Sequence, residues 1–508
     1  MVGCLAHWGI NVKPLALVKL LAMVLLTALL SGCASLSFVP ERANGSRTLP
    51  PAQDDGLTAP VGDSAAEYTG RFTLNYIGSD QQALVAVSRT MRLTGEDLMA
   101  EKVAERLLDP PDTLPGVLPI APSGTKLIWV EQSQGVATVN LSEEALSLTE
   151  QELAWMRAAI ANTLVGTGGI QYVNVLIGGK EESSLSLPSG ALTRTDGNLT
   201  AIWAQQEADQ ERFTQSGGRL DRDATLYFPS ADGAYLLPEV RAVRFSDDGY
   251  ALELIRQLAA GGSDHRVLPE GAILTQDPTI DTLADGRRVI TLKMPSGFED
   301  SLSQIGVQPG LAYGALALTL CRFVPEIDAL RVTVGGQPLD RIQLGERLLV
   351  PVDGVIAPDD FDSMIGRVAQ ITLTDQETGK LRSVSRAMER SAALSPRVLV
   401  DQVLVGPMPY ESGVESVAPQ GTGKADIEGV RIEEGIALVN LSGNFYRSCQ
   451  QMSEQAERNL VYALVNTLCS LDPVHKVRFF IDGQSVDALV TAVCLRGALL
   501  PNPGIVVP

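Results

Sequence analysis

Apolar positions along the chain alternate in short runs or recur at helical spacing, and this succession of patterns occurs three times. In the first copy the patterns predict strands at 72–76, 84–91, 127–131, 136–141 and 172–177, and helices at 95–108 and 149–165. Thr149 followed by Glu152 has the spacing of a capping box at the start of the second helix. The predicted order of elements is β-β-α-β-β-α-β.

The later copies are predicted from the same patterns. The second has strands at 225–228, 237–243, 288–292 and 330–334, and helices at 250–258 and 310–323. The third has strands at 369–373, 383–388, 435–441 and 476–481, and helices at 396–405 and 453–468. A separation of fourteen residues between the end of the second helix and a glycine recurs in all copies, at Val165–Gly179, Cys321–Gly335 and Cys469–Gly483.

A repeat of this length is a folding unit. The sequence therefore predicts an α/β (α+β) protein of three tandem small domains, each with its helices on one face of a mixed sheet, at 68–195, 220–345 and 366–503. The connecting residues 195–222 and 338–366 contain turns and mixed charge, and are predicted to pack partly against the domains.

Some polar residues recur with the copies. V-N-L-S at 139–142 and 439–442 includes Asn140 and Asn440, which are predicted to set up a turn, and Thr291 is assigned to the same place in the second copy. Thr163, Thr319 and Thr467 occupy equivalent places on the second helix. A contact shared by the three copies is one interpretation. The preferred one is hydrogen bonding of each Thr back to its own helix, or close approach of the helix to the sheet.

The N-terminus has the pattern of a secretory signal over residues 1–32, with Lys13 and Lys19 before the apolar run 20–30. L-S-G-C at 30–33 resembles the lipobox of bacterial lipoproteins, in which the Cys becomes the acylated first residue. Cys33 is therefore predicted to carry the lipid that anchors the chain to a membrane; a plain signal peptide and an uncleaved anchor helix are the alternatives. Residues 33–67 are predicted to be a flexible tether, because they are rich in Pro, Gly and polar residues.

Charge argues against two classes of partner. The net charge of −20 becomes −22 when residues 1–32 are removed, which disfavours nucleic acid and anionic lipid headgroups. Cys321 and Cys469 are predicted to be buried apolar residues, and a disulfide between Cys449 and Cys494 is left open.

No chemistry is indicated by the remaining residues. His265 and His475 are predicted to be solvated loop residues, and no metal-ligand spacing, nucleotide motif or hydrolase motif is present. A pair of carboxylates, which is all that a glycosidase needs, is not excluded, but no such pair recurs among the copies. The sequence therefore predicts no catalytic, metal-binding or cofactor-binding residues.

The repeat resembles the GerM domain family of sporulation and germination proteins. The resemblance lies in the strand 137–142, the N-T-L end of the second helix, the last strand with its Gly-Gly or Asp-Gly turn, and the opening strands around 226–229. It covers roughly residues 70–190, 223–345 and 367–503. It implies a small fold related to the ring-building motif of secretion and sporulation channels, and an extracytoplasmic assembly role. It implies no catalytic residues.

These observations lead to one function and its alternatives. The chain is predicted to be a non-enzymatic scaffold, held by the lipid on Cys33 at the extracytoplasmic face of the cell membrane, which contacts envelope and sporulation proteins. The alternative is a module that binds cell-wall glycan or peptidoglycan, against which the aromatic content of 5% weighs. A third is general envelope maintenance in an organism that does not sporulate.

Overall fold

The computed structural model describes residues 56–63, 67–94, 97–109, 115–181, 183–184, 187–246, 249–263, 265–271 and 273–507. The first repeat consists of a long antiparallel hairpin, a helix, and a three-stranded sheet against which a second helix packs. Its elements are β1 (Glu67–Gly78), β2 (Leu84–Thr94), α1 (Met99–Leu108), β3 (Val117–Leu118), β4 (Leu127–Ser133), β5 (Val136–Leu141), α2 (Glu150–Leu164) and β6 (Tyr172–Ile177). Strands β4 and β5 are antiparallel, whereas β6 joins β5 in parallel.

The second repeat follows a short hairpin and a connecting helix and has the same order. Its elements, with that connection, are β7 (Ser183–Ser184), β8 (Leu187–Pro188), α3 (Leu199–Gln215), β9 (Leu220–Pro229), β10 (Leu236–Phe245), α4 (Tyr250–Ala260), β11 (Thr279–Thr282), β12 (Arg288–Met294), α5 (Phe298–Gln304), α6 (Pro309–Phe323) and β13 (Ala329–Val334). Strands β11, β12 and β13 form the mixed sheet, with β12 and β13 parallel.

The third repeat is reached through short strands and repeats the order again. These elements are β14 (Gln337–Pro338), β15 (Ile342–Leu344), β16 (Arg347–Leu349), β17 (Val355–Ile356), β18 (Arg367–Asp375), β19 (Leu381–Met388), α7 (Pro396–Val405), β20 (Val414–Glu415), β21 (Ile427–Glu433), β22 (Ile436–Leu441), α8 (Gly443–Cys449), α9 (Glu454–Leu468), β23 (Lys476–Ile481) and β24 (Gln484–Ser485). Among the residues described, the mixed α+β class predicted from the sequence is confirmed.

Each repeat has its own cluster of buried apolar side chains. The clusters include Leu74 to Leu199 in the first repeat, Leu187 to Ile365 in the second, and Ala369 to Leu495 in the third. The second helix of each repeat lies between the hairpin and the mixed sheet and supplies much of the cluster. Three cores therefore exist within the single compact unit Asp54–Pro508.

The prediction missed the helices α3, α5 and α8 and, among the longer strands, the edge strands β11 and β21. The sequence of α3 has no apolar stripe and therefore predicts turns instead of a helix. Among the described residues of α3, only Leu199 is buried. Asn198 caps it, since the Asn198 Oδ1 accepts a hydrogen bond of 2.9 Å from the backbone N–H of Ala201. The missed strands β11 and β21 are edge strands that pair on one side, and β11 is exposed along its whole length.

The equivalent threonines make one contact three times, and the contact is with a neighbouring strand. Helix back-bonding is therefore wrong, whereas close approach of the helix to a sheet, the other half of the preferred interpretation, is observed. The hydroxyl oxygen of Thr163 accepts the backbone N–H of Asn75, at 2.9 Å. Thr319 does the same for Tyr227 at 3.2 Å, and Thr467 for Thr372 at 2.9 Å. In each case the donor lies on the hairpin strand that packs against the helix. No strand pairs with the donor residue on that side, because β3 and β20 pair only with the ends of β1 and β18. The threonine thus supplies the acceptor that the backbone N–H would otherwise lack.

The middle repeat differs by one inserted residue, which the fourteen-residue spacing concealed. The backbone N–H of Gly178, Gly335 and Asp482 donates to the carbonyl of Leu141, Met294 and Leu441 respectively, at 2.8, 3.0 and 2.9 Å. Gly335 is thus equivalent to Gly178 and not to Gly179. Strand pairing then places Lys293, and not Thr291, where Asn140 and Asn440 lie.

Replacement of Thr467 by Val is expected to destabilise the third repeat by about 1–3 kcal/mol, because the buried N–H of Thr372 loses its acceptor. The change keeps the shape of the side chain. Thr467→Ser keeps the hydroxyl and is the control. Urea denaturation measures the free energy of unfolding, and hydrogen exchange measures the opening of the Thr372 amide. Equal stability of the Val and Ser variants would contradict the assigned contact.

Candidate functional site

The predicted site residue, Cys33, and the predicted signal 1–32 lie outside the described residues. Each V-N-L-S asparagine holds a turn, but not the local turn at the end of its own strand that its position predicts. The Oδ1 of Asn140 accepts the backbone N–H of Gly179 at 2.8 Å, and that of Asn440 accepts Gly483 at 2.9 Å. The turn that each asparagine holds is the one after the last strand of its repeat, about forty residues downstream, so the motif is a structural signature.

The four cysteines in the described part of the chain are free thiols. Cys321 and Cys449 are buried, Cys469 is half-buried and Cys494 is exposed. Cys321 therefore packs as the apolar residue that was predicted, and Cys449 is not bonded to Cys494. Burial raises the pKa of Cys449 to about 12, which leaves its thiol protonated and unreactive at neutral pH.

His265 and His475 are exposed, as predicted for solvated loop residues. Within the described ranges, no group of three or more His, Cys, Asp or Glu residues is arranged to hold a metal ion. No helix of the described part is both long enough and apolar enough to cross a membrane.

A buried charged group joins all three repeats. Arg322, at the end of α6, is 3% exposed and binds Glu131 on β4 through two contacts, Nη1–Oε2 at 2.8 Å and Nη2–Oε1 at 3.1 Å. The Nη1 also donates to the hydroxyl of Tyr227 at 2.6 Å. From the third repeat, Arg390 reaches the Oε1 of Glu131 at 3.3 Å. We call these four residues the junction cluster.

Two aromatic rings pack against the guanidinium of Arg322 in the junction cluster. The guanidinium carbon of Arg322 lies 4.8 Å from the centre of the Trp129 ring and 5.4 Å from that of Tyr227. Burial lowers the pKa of Arg322, but Glu131 and then Tyr227 raise it by more, so it stays charged. Burial raises the pKa of Tyr227 to about 12, so its hydroxyl remains protonated. The cluster is a closed, paired contact and has no acid or base available for catalysis.

The sequence motifs predict no role for Arg322, although its position in the chain indicates one. Residues 309–323 read P-G-L-A-Y-G-A-L-A-L-T-L-C-R-F, so Arg322 is the only charge in an otherwise apolar helix. A lone charge at such a position needs a buried partner. The identity of that partner was not readable, because Glu131 is 191 residues away.

The segment 56–63, which we call the strap, is fixed to the third repeat. The Oδ1 of Asp63 pairs with the Arg397 guanidinium at 3.0 Å and accepts the backbone N–H of Val430 at 3.3 Å. Asn440 donates from its Nδ2 to the carbonyl of Pro60 at 3.3 Å. The predicted flexible tether 33–67 is therefore shortened, since its part 56–63 is docked.

Gly429 permits the close approach of the strap. A Cβ at this position would lie 2.7 Å from the carbonyl oxygen of Gly62 and 2.8 Å from that of Pro60. The equivalent residue of the first repeat, opposite Asn140 in the same strand pair, is Trp129. The same position thus accepts an extended segment in the third repeat and packs on Arg322 in the first.

A cavity of about 500 Å³ lies between the first two repeats. Its walls come from α2, α3 and β9, with small apolar residues such as Ala158 and Ala191. Arg222 lines it and is already paired with Asp209, Nη1–Oδ2 at 3.0 Å, and with the carbonyl of Pro188, at 3.0 Å. The cavity therefore offers paired charges and small apolar walls, and nothing that identifies a ligand.

Glu181 is buried beside this cavity, with 1% of its surface exposed. Its Oε2 accepts the backbone N–H of Gly190 at 2.8 Å, and its own backbone N–H donates to the carbonyl of Arg322 at 2.7 Å. Burial raises the pKa of Glu181 to about 8, against the lowering effects of the Gly190 hydrogen bond, Arg157 and Arg222. The side chain is thus mostly protonated at neutral pH.

Comparison with known proteins gives one family and several similar structures. The family model described as "Germane: Sporulation and spore germination" matches residues 73–183 and 364–487, which are the first and third repeats. A search of the curated proteins found no match.

The tandem GerMN domains of the sporulation protein GerM from Bacillus subtilis have 14% identity over 55% of this chain and 98% of that one, with a TM-score of 0.22. The first GerMN domain of the same protein has 19% identity over 25% of this chain and 96% of that one, with a TM-score of 0.20. A candidate lipoprotein from Clostridium perfringens has 20% identity over 25% of this chain and 83% of that one, with a TM-score of 0.17.

Removal of one partner from the junction cluster is expected to be costly. Arg322→Ala should lower the free energy of unfolding by about 3–5 kcal/mol, because Glu131 keeps a buried charge with reduced pairing. Arg322→Met combined with Glu131→Leu should cost less, since that Glu charge is removed as well. The control is Arg244→Ala, whose pair with Asp221 is exposed and should be worth at most about 1 kcal/mol. Urea denaturation that gives Arg322→Ala and Arg244→Ala the same loss would refute the assignment.

Glu181 is expected to make stability fall as the pH rises. Its pKa in the folded chain, about 8, exceeds the ordinary 4.5, so its contribution is complete below pH 4.5 and is lost as the pH rises through 8. Between these values the free energy of unfolding of the native chain should fall relative to that of Glu181→Gln by about 1.4 kcal/mol per pH unit. Urea denaturation of both proteins between pH 6 and pH 8 measures this difference. Parallel pH profiles would contradict it.

Proposed function

We infer, because the chain belongs to the Germane family of sporulation and spore germination, that it acts in that process as a non-enzymatic scaffold. In this proposal the chain is held at the extracytoplasmic face of the cell membrane by a lipid on Cys33. It contacts envelope and sporulation proteins through surfaces of its repeats. The family accounts for the process, whereas the scaffold mechanism and the anchor are this proposal's own additions.

The junction cluster is the observation that carries the scaffold proposal. A scaffold has to hold several binding surfaces at constant distances and angles. Glu131, Arg322 and Arg390 come from three different repeats and meet at one buried point. Independent domains on flexible linkers are not expected to bury such a charged contact between them, because its desolvation costs free energy. The three repeats are therefore suited to act as one body.

The anchor proposal rests on the sequence at the N-terminus. L-S-G-C at 30–33 follows an apolar run, and two acyl chains on a Cys are enough for stable attachment to a membrane. The strap 56–63 brings the chain that follows Cys33 to the third repeat. An anchored chain would then enter its folded body at that repeat.

One experiment in sporulating cells tests the anchor and the scaffold together. Palmitate labelling is expected to mark the native chain and not Cys33→Ala, and only the native chain should sediment with membranes. Crosslinking of the native chain in place should recover the same envelope proteins repeatedly. Cys494→Ala, which changes an exposed thiol on the folded body, is the control and should behave as the native chain does.

Four results would count against the proposal. Label that persists in Cys33→Ala, or native chain that is absent from membranes, refutes the anchor. Repeated recovery of no envelope protein refutes the scaffold. Sedimentation of the purified chain with cell-wall sacculi would favour the glycan-binding alternative instead.

A further inference from the structure

The mixed sheet of each repeat has an outer face, which is the side away from the helices. Because side chains alternate along a strand, residues between the core positions of the middle and last strands lie on this face. Four outer residues nearest the C-terminal ends of these two strands are compared in each sheet. In the order of the repeats they are Thr138, Asn140, Asn174 and Leu176; Thr291, Lys293, Arg331 and Thr333; and Leu438, Asn440, Arg478 and Phe480. Three equivalent faces can therefore be compared position by position.

The chain itself covers the outer faces of the first and third repeats. None of their eight residues is more than 4% exposed. In the first repeat, Glu131 and Trp129 lie beside these residues and are covered by Arg322 of the second repeat. In the third repeat, the strap lies on Asn440, and the C-terminal segment accepts hydrogen bonds from Arg478 at the carbonyl of Leu495. The outer face is thus a surface on which this fold places other segments.

The outer face of the middle repeat is left open to solvent. Lys293, Arg331 and Thr333 are each partly exposed, in contrast to their eight buried equivalents. The adjacent edge strand β11 is exposed at all four positions, and 45% of the surface of Ile280 is accessible. By comparison, the equivalent strand β4 is buried over its last four residues. We call Lys293, Arg331, Thr333 and the strand β11 the middle face.

The middle face carries two cations, Lys293 and Arg331, and one carboxylate, that of Asp281 on β11, which is paired with Val289. Lys293 takes the place of Asn440, and its Nζ donates to the Oε1 of Gln276 at 3.2 Å. Arg331 takes the place of Arg478. Among the described residues, no carboxylate forms an ion pair with either cation. Two unneutralised cations on neighbouring strands are unusual in a chain with 60 acidic and 40 basic residues.

A further polar group lies at the centre of the middle face. Thr291 is 7% exposed, and its hydroxyl oxygen has no hydrogen-bond partner among the described residues. Buried hydroxyls are almost always hydrogen-bonded in folded proteins. Thr291 is paired with Arg331 across the strands β12 and β13. The hydroxyl and both cations therefore occupy one small area of the sheet.

We propose that the middle face is the docking surface for an extended acidic peptide segment of a protein partner. This inference rests on the proposed scaffold function and names the surface that such a scaffold uses. The strap is the guide to the occupant: its Asp63 carboxylate meets Arg397 on α7, and its carbonyl groups meet Asn440 and Arg431. On the middle face, carboxylates of the partner meet Lys293 and Arg331 instead. The free edge of β11 offers backbone hydrogen bonds to the same segment.

The probe for this surface is a fluorescent peptide with the sequence D-D-G-L-T-A-P-V-G-D, which is that of residues 54–63. It is acidic and of known chemistry. We expect saturable binding to the purified full-length mature chain by fluorescence anisotropy, weaker at raised ionic strength. Lys293→Gln combined with Arg331→Gln should weaken binding by about tenfold or more.

Control variants distinguish peptide binding at the middle face from non-specific attraction to exposed cations and from binding at the strap's own site. Lys126→Gln with Lys476→Gln removes two exposed cations elsewhere and should leave binding unchanged. Arg397→Ala alters the strap site and should also leave it unchanged. Circular dichroism and thermal melting should show every variant folded as the native chain is. Because the assay uses purified protein and peptide, its result does not depend on the anchor or on the cellular process.

Four results would overturn the proposal. Absence of saturable binding does so directly. Loss of binding in Arg397→Ala would mean that the peptide exchanges with the strap. Sedimentation velocity showing dimers that the Lys293 and Arg331 variant dissolves would assign the face to a second copy of this chain. Binding to vesicles of anionic lipid, lost in that variant while the peptide does not bind, would assign it to a membrane.

Discussion

The arrangement of the repeats depends on the pairing of Arg322 with Glu131. Neither charge would be tolerable in the interior alone, since an unpaired buried ion costs several kcal/mol. Glu131 lies on the first repeat and Arg322 on the second, so each repeat needs the other to satisfy its own charge. Arg390 of the third repeat adds a weaker contact to the same carboxylate. Hydrophobic contacts would allow many relative orientations, whereas a two-contact pair of a guanidinium and a carboxylate allows few.

Within each repeat, a different polar contact has been kept three times. The hydroxyl oxygens of the threonines on the second helices accept backbone N–H groups of the hairpin strands packed beside them. This contact serves folding alone, which explains why it persists in the middle repeat although the family model matches only the other two. The V-N-L-S asparagine, by contrast, is replaced by Lys293 in the middle repeat. The two kinds of repeated residue thus differ in what the fold requires of them.

Equivalent surfaces have been put to different uses in the three repeats. Trp129 and Gly429 occupy the same place, yet one packs on Arg322 and the other admits the strap. The difference is one of size: an indole fills the space through which the strap passes in the third repeat. The middle repeat differs again, with two cations on a face that the described part of the chain leaves open. Differences among copies, more than their similarities, indicate where the partners of this chain should be sought.

The sequence by itself determined the elements and their order. The periodicity of 369–373 and 396–405, for example, is local, and local patterns are enough to specify strands and helices. It did not reveal α3, which has no apolar stripe, or the one-residue insertion before Gly335, which looked like perfect spacing. It also could not pair Arg322 with Glu131 or bring residues 56–63 to Asn440, because these partners are 191 and about 380 residues apart. Only the tertiary structure decided those contacts, since the burial that makes them favourable exists only after the repeats have packed together.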